Sequence, residues 1–407
     1  MTKLLRTGRQ NLVALAAISV LRGAHTSLFN VLWQPFVLSL GMTVPIMGLL
    51  GSLGGGAGII GTVAQSLGGR LADRMGRRPL LAAGGVASLA SYGLFWLAGA
   101  LVAWPAAAAG ALVIGLASIS RPAISSMTAE SVRTGRHVSA FSVTVVAQNL
   151  PGILLPAAGG WLAQEAGYTP IFPICVALEL CALVVIWLRT TETARPAESA
   201  ASRGKPLSLL SSFLPPSGLR RFGIATASDM AFWGIGWGIL FGMLADTHGF
   251  GPAQLGLLAA TMSVAWVVVQ MPVGRYLDSR ATLPTLIVSQ LLGVPIMLVY
   301  MTQSRMDILL LAQVLMGICA ATWAPGASTY IARNTLPSER AEAFGRVSAF
   351  RGLVAFPAAA VGGLIYGWFG MMGPLAVNLI GVFVTAELLR RCPMDNPVQT
   401  DKATPAD

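Results

Sequence analysis

Arg22, His25, Phe29 and Trp33 follow one another at steps of three and four residues, and Asp229, Trp233 and Trp237 do so at steps of four. A helix turns each set onto one face. A guanidinium, an imidazole and a carboxylate set among aromatic rings can bind protons, pair with one another or grip a charged solute. Only 11% of the 407 residues are charged and 55% are hydrophobic, whereas a soluble protein carries about 25% charged residues. An ionisable group in such apolar surroundings is costly, so each one is a functional candidate.

The elements that must position these groups are long apolar runs. Mean hydropathy is +0.69. The stretch from Pro79 to Ser120 contains no charge. As one helix it would be ~60 Å long, twice the ~30 Å hydrocarbon core of a bilayer. It must therefore turn back, and Ala103-Trp104-Pro105 is the natural place. Windows of about 20 apolar residues predict twelve membrane helices, near 11–35, 45–67, 79–100, 106–129, 139–163, 167–188, 222–245, 252–274, 283–302, 308–331, 344–368 and 371–390. Strands of a membrane β-barrel would alternate apolar and polar residues over about ten positions, and these segments do not. The basic start "MTKLLRTGRQ" invites comparison with a signal peptide, but no small-residue cleavage site stands out and eleven more spans follow.

Of the 27 Lys and Arg, 23 fall in the tails and loops of one side, and Arg305 alone falls on the other; Arg22, Arg121 and Arg351 lie within helices. The positive-inside rule then predicts both termini in the cytoplasm of an inner or plasma membrane protein. This anchoring explains most of the net charge of +11 without a nucleic-acid partner. Cys175, Cys181, Cys319 and Cys392 show no paired spacing, so neither a disulfide framework nor a metal site is expected. "GSLGGGAG" at 51–58 lacks the following Lys-Ser/Thr of a phosphate-cradling loop; close helix packing accounts for it. No cofactor is expected, and the chain is not read as an enzyme.

The chain also repeats itself. "GMTVPIMGLL" from Gly41 recurs as "GFGPAQLGLL" from Gly249, and "GGRLADR" recurs as "VGRYLDSR", pairing Gly69 with Gly274 and Asp73 with Asp278. "SAFSVTVVAQN" recurs as "EAFGRVSAFRG", and Gly159-Gly160 as Gly362-Gly363, at offsets of 203 to 208 residues. The polar, Pro- and Ser-rich stretch 189–221 reads as a cytoplasmic linker. The expected organisation is a six-helix bundle over 1–188, the linker, a second six-helix bundle over 222–392 and a cytoplasmic tail over 393–407. A parallel repeat of this kind is an architecture of secondary transporters, with the substrate near the midplane between the repeats.

"GRLADRMGRRPLL" resembles the signature loop between helices 2 and 3 of the major facilitator superfamily, whose pattern is Gly-x-Leu-Ala-Asp-Arg-x-Gly-Arg-Arg/Lys. Gly69, Asp73, Arg74, Gly76, Arg77 and Arg78 fit it, together with Leu71 and Ala72. "PAAGG" resembles the Pro-x-x-Gly-Gly motif of the family's antiporters at Pro156, Gly159 and Gly160. The resemblance covers the chain outside its tails and linker. It departs in helix 4, where Arg121 lies deeper than the arginine of the family's drug exporters and precedes Pro122. The family fold it implies is two six-helix bundles related by a pseudo-two-fold axis, with helices 1, 4, 7 and 10 around a central cavity. It also implies a latch in which Asp73 meets the N-terminus of helix 11, near Ala343. Gly69 would let helix 2 approach a neighbour closely, and Gly274 and Asp278 would form a weaker copy, because Ser279 replaces the arginine.

On that fold both stripes are expected to face the cavity, and the offset of 208 lays His25 on Trp233 and Phe29 on Trp237; Gln148 coincides with Arg351 at 203. Arg22 and Asp229 lie too deep to reach water, so each needs a partner, and pairing of the two across the cavity is the expectation. Arg121 and Arg351 can instead reach the cytoplasm, Arg121 can pair with Glu130, Trp33 can anchor at the interface, and Glu179 reads as a structural partner. The expected function is transport of small organic solutes by alternating access, by proton-coupled export (antiport) and as a monomer. Uptake of an organic anion is the alternative mode. A non-transporting sensor or scaffold on the same fold is the alternative class.

Overall fold

The computed structural model describes residues 2–55, 58–131, 137–193, 214–279, 281–335 and 340–394. Among the described residues the regular structure is helical throughout, with no strand. Among the described residues twelve helical segments are long and apolar enough to cross a membrane: Gln10–Ser39, Val44–Gly69, Arg77–Leu101, Trp104–Thr128, Val143–Ala166, Ile171–Arg189, Ser217–His248, Pro252–Gln270, Thr282–Thr302, Met306–Arg333, Glu342–Phe369 and Met372–Arg390. They are numbered here as the first to the twelfth span. Each predicted window overlaps one of them. The largest difference is at the seventh, which begins at Ser217, within the stretch read as linker.

The repeat returns in the backbone. Gly41 and Gly249 turn the chain between the first and second and between the seventh and eighth spans, both with positive φ (87° and 65°). Gly167 and Gly370 do the same before the sixth and twelfth spans (79° and 61°). These conformations favour glycine because it has no Cβ to clash. Three spans carry a 3₁₀ segment: Ala117–Ser120 in the fourth, just before Pro122; Leu150–Ile153 in the fifth, containing Pro151; and Trp237–Ile239 in the seventh. Proline removes a helix donor and disturbs the ladder; the seventh has glycines at 234, 236 and 238 instead.

Contacts divide the chain into two units. The first comprises Met1–Pro206 with Ile239–Ala260, and the second Leu207–Gly238 with Thr261–Asp407. The later part of the seventh span and the start of the eighth therefore group with the first unit.

Lipid supplies no hydrophobic drive for helix association, so small residues that admit close backbones carry much of the packing. In the first unit a Cβ on Gly54 would fall 1.7 Å from the Ala111 carbonyl oxygen, and one on Gly256 2.2 Å from that of Pro156. In the same unit Phe29, Phe36, Phe95 and Phe172 form an aromatic core, with neighbouring centroids 4.7 to 6.2 Å apart. In the second unit a Cβ on Gly362 would meet the Ile235 carbonyl oxygen at 2.1 Å. There Phe222 stacks on Tyr330 at 4.1 Å, within a cluster that includes Leu286, Val347 and Leu389.

Candidate functional site

The first span carries Arg22 and His25 into the interior of the first unit, where the sixth span supplies the anion. Arg22 donates to Glu179 Oε1 from Nε at 3.1 Å and from Nη2 at 2.8 Å. Its remaining donors reach the Leu81 carbonyl oxygen at 3.0 Å and Ser120 Oγ at 3.4 Å. His25 Nε2 lies 2.7 Å from Glu179 Oε2, and His25 Nδ1 lies 2.7 Å from the hydroxyl of Tyr92 on the third span. An ionised carboxylate only accepts, so Nε2 carries the hydrogen, and the neutral ring receives the Tyr92 O–H at Nδ1. Glu179 is wholly buried and the Arg22 side chain is 12% exposed.

Space for this cluster is left by one residue. A Cβ on Gly85 would fall 2.6 Å from Glu179 Oε1 and 3.0 Å from Arg22 Nη2. Phe29 continues the stripe, edge-on to Tyr92 and Phe95 and stacked on Trp33.

In the second unit Asp229 is buried on the seventh span. Gln290 of the ninth span lies between it and Trp233. With its nitrogen turned to the carboxylate, Gln290 donates to Asp229 Oδ1 at 3.1 Å, and its oxygen accepts from Trp233 Nε1 at 3.3 Å. The cation whose field reaches Asp229 is Arg351, which donates from Nε to the Thr226 carbonyl oxygen at 3.3 Å. Trp237 stands edge-on to Trp233 and to Tyr300, each at 5.8 Å.

These geometries change several expectations. Arg22 is engaged by Glu179, Leu81 and Ser120, so its counterion is Glu179 and not Asp229. His25 and Phe29 turn into the core of their own unit, because Tyr92, Phe95 and Glu179 cover that face. Glu130 pairs with Arg77 at 3.1 Å and not with Arg121. Arg121 and Gln148 are exposed, and among the described residues the Arg121 side chain makes no hydrogen bond or ion pair. The residues that sequence reasoning passed over are Tyr92 and Gln290. Gln290 had a signal: it lies 205 residues after Gly85, the offset that pairs Gly69 with Gly274.

The sequence pattern of the Major Facilitator Superfamily matches residues 15–244 and again 222–405. The chain belongs to the major facilitator superfamily. No curated protein shows a significant sequence match. Among solved structures, the human organic anion transporter MFSD10 (TETRAN) matches at 19% identity and a TM-score of 0.65, covering 94% of this chain and 99% of its own. A D-xylose-proton symporter matches at 13% identity and a TM-score of 0.75, covering 94% and 97%. A nucleoside transporter matches at 14% identity and a TM-score of 0.73, covering 93% and 98%. At such identities the likeness is one of fold. This superfamily member is accordingly a membrane transporter of small molecules and not an enzyme.

The superfamily's signature loop is well anchored on its own side. Gly76 has φ +97°, and a Cβ there would meet Glu192 Oε2 at 2.6 Å. Glu192 accepts from the backbone N–H of Arg77 at 2.9 Å and of Arg78 at 3.0 Å, capping the third span where helix donors are unsatisfied. The Arg78 guanidinium lies over the Trp187 ring at 5.0 Å, and Arg74 is exposed. A Cβ on Gly69 would meet nothing within 4 Å, whereas one on Gly68 would meet the Ile119 carbonyl oxygen at 2.3 Å. The close approach of the second span thus belongs to Gly68 and not Gly69. Nothing beyond the backbone is described at Asp73, Gly274 and Asp278, so the expected latch lies outside the described residues. Pro156, Gly159 and Gly160 are buried; a Cβ on Gly160 would meet the Pro252 carbonyl oxygen at 2.4 Å, and one on Gly159 would meet Leu28 Cδ2 at 2.4 Å. The antiporter-like motif is therefore the packing face of the fifth span toward the eighth and the first.

Proposed function

We propose that the protein is a proton-coupled secondary transporter that exports small organic solutes by alternating access. It works as a monomer in the inner or plasma membrane, with both termini in the cytoplasm. Asp229 is the proton-responsive group. The supporting observation is its setting: a buried carboxylate whose hydrogen-bond donor is the neutral amide of Gln290, while Arg351 spends its Nε on a backbone carbonyl. Burial penalises a charge. Protonating Asp229 neutralises that charge and leaves no contacting cation behind, whereas protonating Glu179 would strand Arg22. The asymmetric basic loops support the orientation, and the likeness of Pro156, Gly159 and Gly160 to the antiporter motif supports export.

Flux into proteoliposomes with and without a pH gradient tests this reading. Asp229→Asn is expected to abolish the acceleration by the gradient while retaining solute exchange. Full gradient-driven flux in that variant would remove Asp229 from the role.

A second reading, an organic anion as cargo and uptake as the direction, rests on Arg121. Of the three intramembrane arginines it is the exposed residue, and its side chain has no partner among the described residues. The likeness to the human organic anion transporter is compatible with it. Arg121→Gln should then weaken binding of anionic solutes and spare neutral ones.

A further inference from the structure

One ionisable group of the first unit has no part in the transport scheme above. His25 is 4% exposed, and both of its ring nitrogens are engaged by side chains that differ in what they can do. Arg22 places two donors on Glu179 Oε1 and leaves Oε2 to His25 at 2.7 Å. Nε2 therefore keeps its hydrogen whatever the charge of the ring. Nδ1 faces a hydroxyl at 2.7 Å, and a hydroxyl can both donate and accept.

We propose that His25 is a proton-binding site of the first unit, with Glu179 holding one ring nitrogen and Tyr92 serving the other in both protonation states. In the neutral ring Tyr92 donates its O–H to Nδ1. When a proton binds at Nδ1, the new N–H donates to the Tyr92 oxygen and the hydroxyl hydrogen turns away from the ring. The ring makes two hydrogen bonds in either state, so proton uptake orphans no buried nitrogen; the cost falls on the Tyr92 O–H, which gives up its acceptor. A carbonyl opposite Nδ1 would allow only the protonated nitrogen; Tyr92 allows the exchange.

The charged and titratable groups around the ring are few. Arg22 shares its span, Glu179 and Cys175 come from the sixth span, and Tyr92 comes from the third. The Thr26 hydroxyl lies 3.5 Å from Nδ1, and Ser120 of the fourth span faces Arg22. Arg22 and Glu179 cancel, so the cluster carries no net charge with a neutral ring and one positive charge after protonation. The binding of this proton does not depend on the proton-coupled reading above.

The chain contains three histidines, so ¹⁵N-histidine NMR of the full-length protein in lipid nanodiscs can follow each ring. His25→Gln assigns the signals of interest; should that variant fail to fold, His137→Gln and His248→Gln assign them by elimination. The expected result is a neutral ring with hydrogen on Nε2 at high pH that converts to imidazolium as the pH is lowered. Tyr92→Phe keeps the aromatic packing and removes the hydroxyl, and it should move the midpoint of His25 while leaving His137 and His248 in place. A His25 ring that keeps one form at every pH at which the protein stays folded, or a midpoint unmoved by Tyr92→Phe, overturns the proposal. Asp229→Asn separates the two readings. Retained gradient-driven flux in that variant removes the Asp229 scheme, while the His25 titration still decides this site.

Discussion

The two units solve one problem in opposite ways. Each carries a polar stripe on its leading span, and each must satisfy a carboxylate away from water. In the first unit Glu179 is neutralised in contact by Arg22 and bonded by His25, and Gly85 on the third span provides the room. In the second unit the position at the repeat offset is Gln290, whose amide fills that kind of space and bonds Asp229 itself. A glycine makes room for an ion pair, and a glutamine supplies a neutral donor in place of one. The first arrangement is stable only while its charges stay together. In the second, no cation among the described residues touches the carboxylate, so neutralising it would strand none. The first unit thus holds its carboxylate by charge, and the second holds its own by a neutral hydrogen bond.

The most severe test of this contrast is to remove each carboxylate's charge. Glu179→Gln should destabilise the first unit by roughly 3–5 kcal/mol, because Arg22 is left buried and unpaired. A double variant replacing Arg22 and Glu179 by leucine should recover most of that loss. Asp229→Asn should cost less than about 1 kcal/mol, since Gln290 still finds an acceptor. Thermal unfolding in detergent would measure these changes, and equal losses in Glu179→Gln and Asp229→Asn would break the comparison. Gly85→Ala should cost about 1–3 kcal/mol by overpacking, with Ala at position 93 as a control, because a Cβ on Gly93 would meet nothing within 4 Å. Gln290→Leu should cost about 1–3 kcal/mol by leaving Asp229 and Trp233 Nε1 without their partner. Combining it with Asp229→Leu should be less than additive, as befits neighbours sharing one contact. The smallest stability effect is expected for Arg121→Gln, within about 0.5 kcal/mol, even if it changes which solutes bind.

Much of this was written in the chain. Twelve windows of apolar residues marked the twelve spans, because the bilayer demands a length and a composition that the sequence cannot disguise. The repeat, the signature loop and the superfamily were legible for the same local reasons: spacing, glycines and charge. The stripe Arg22, His25, Phe29 was also legible as one helical face. What lies opposite that face was not. The offset laid His25 on Trp233, and depth alone suggested that Arg22 and Asp229 were partners, since both lacked a visible counterion. Yet Glu179, 157 residues beyond Arg22, sits in a span that the fold brings against the first, and no periodicity within either span encodes that meeting.

Sequence by itself determined which residues are confined to the membrane and on which helical face each one stands, because both follow from transfer free energy and a 3.6-residue period. Tertiary structure alone decided which charge meets which, since ion pairs form over a few ångströms across spans far apart in the chain, and a side chain as small as Gly85's decides whether the pair has room.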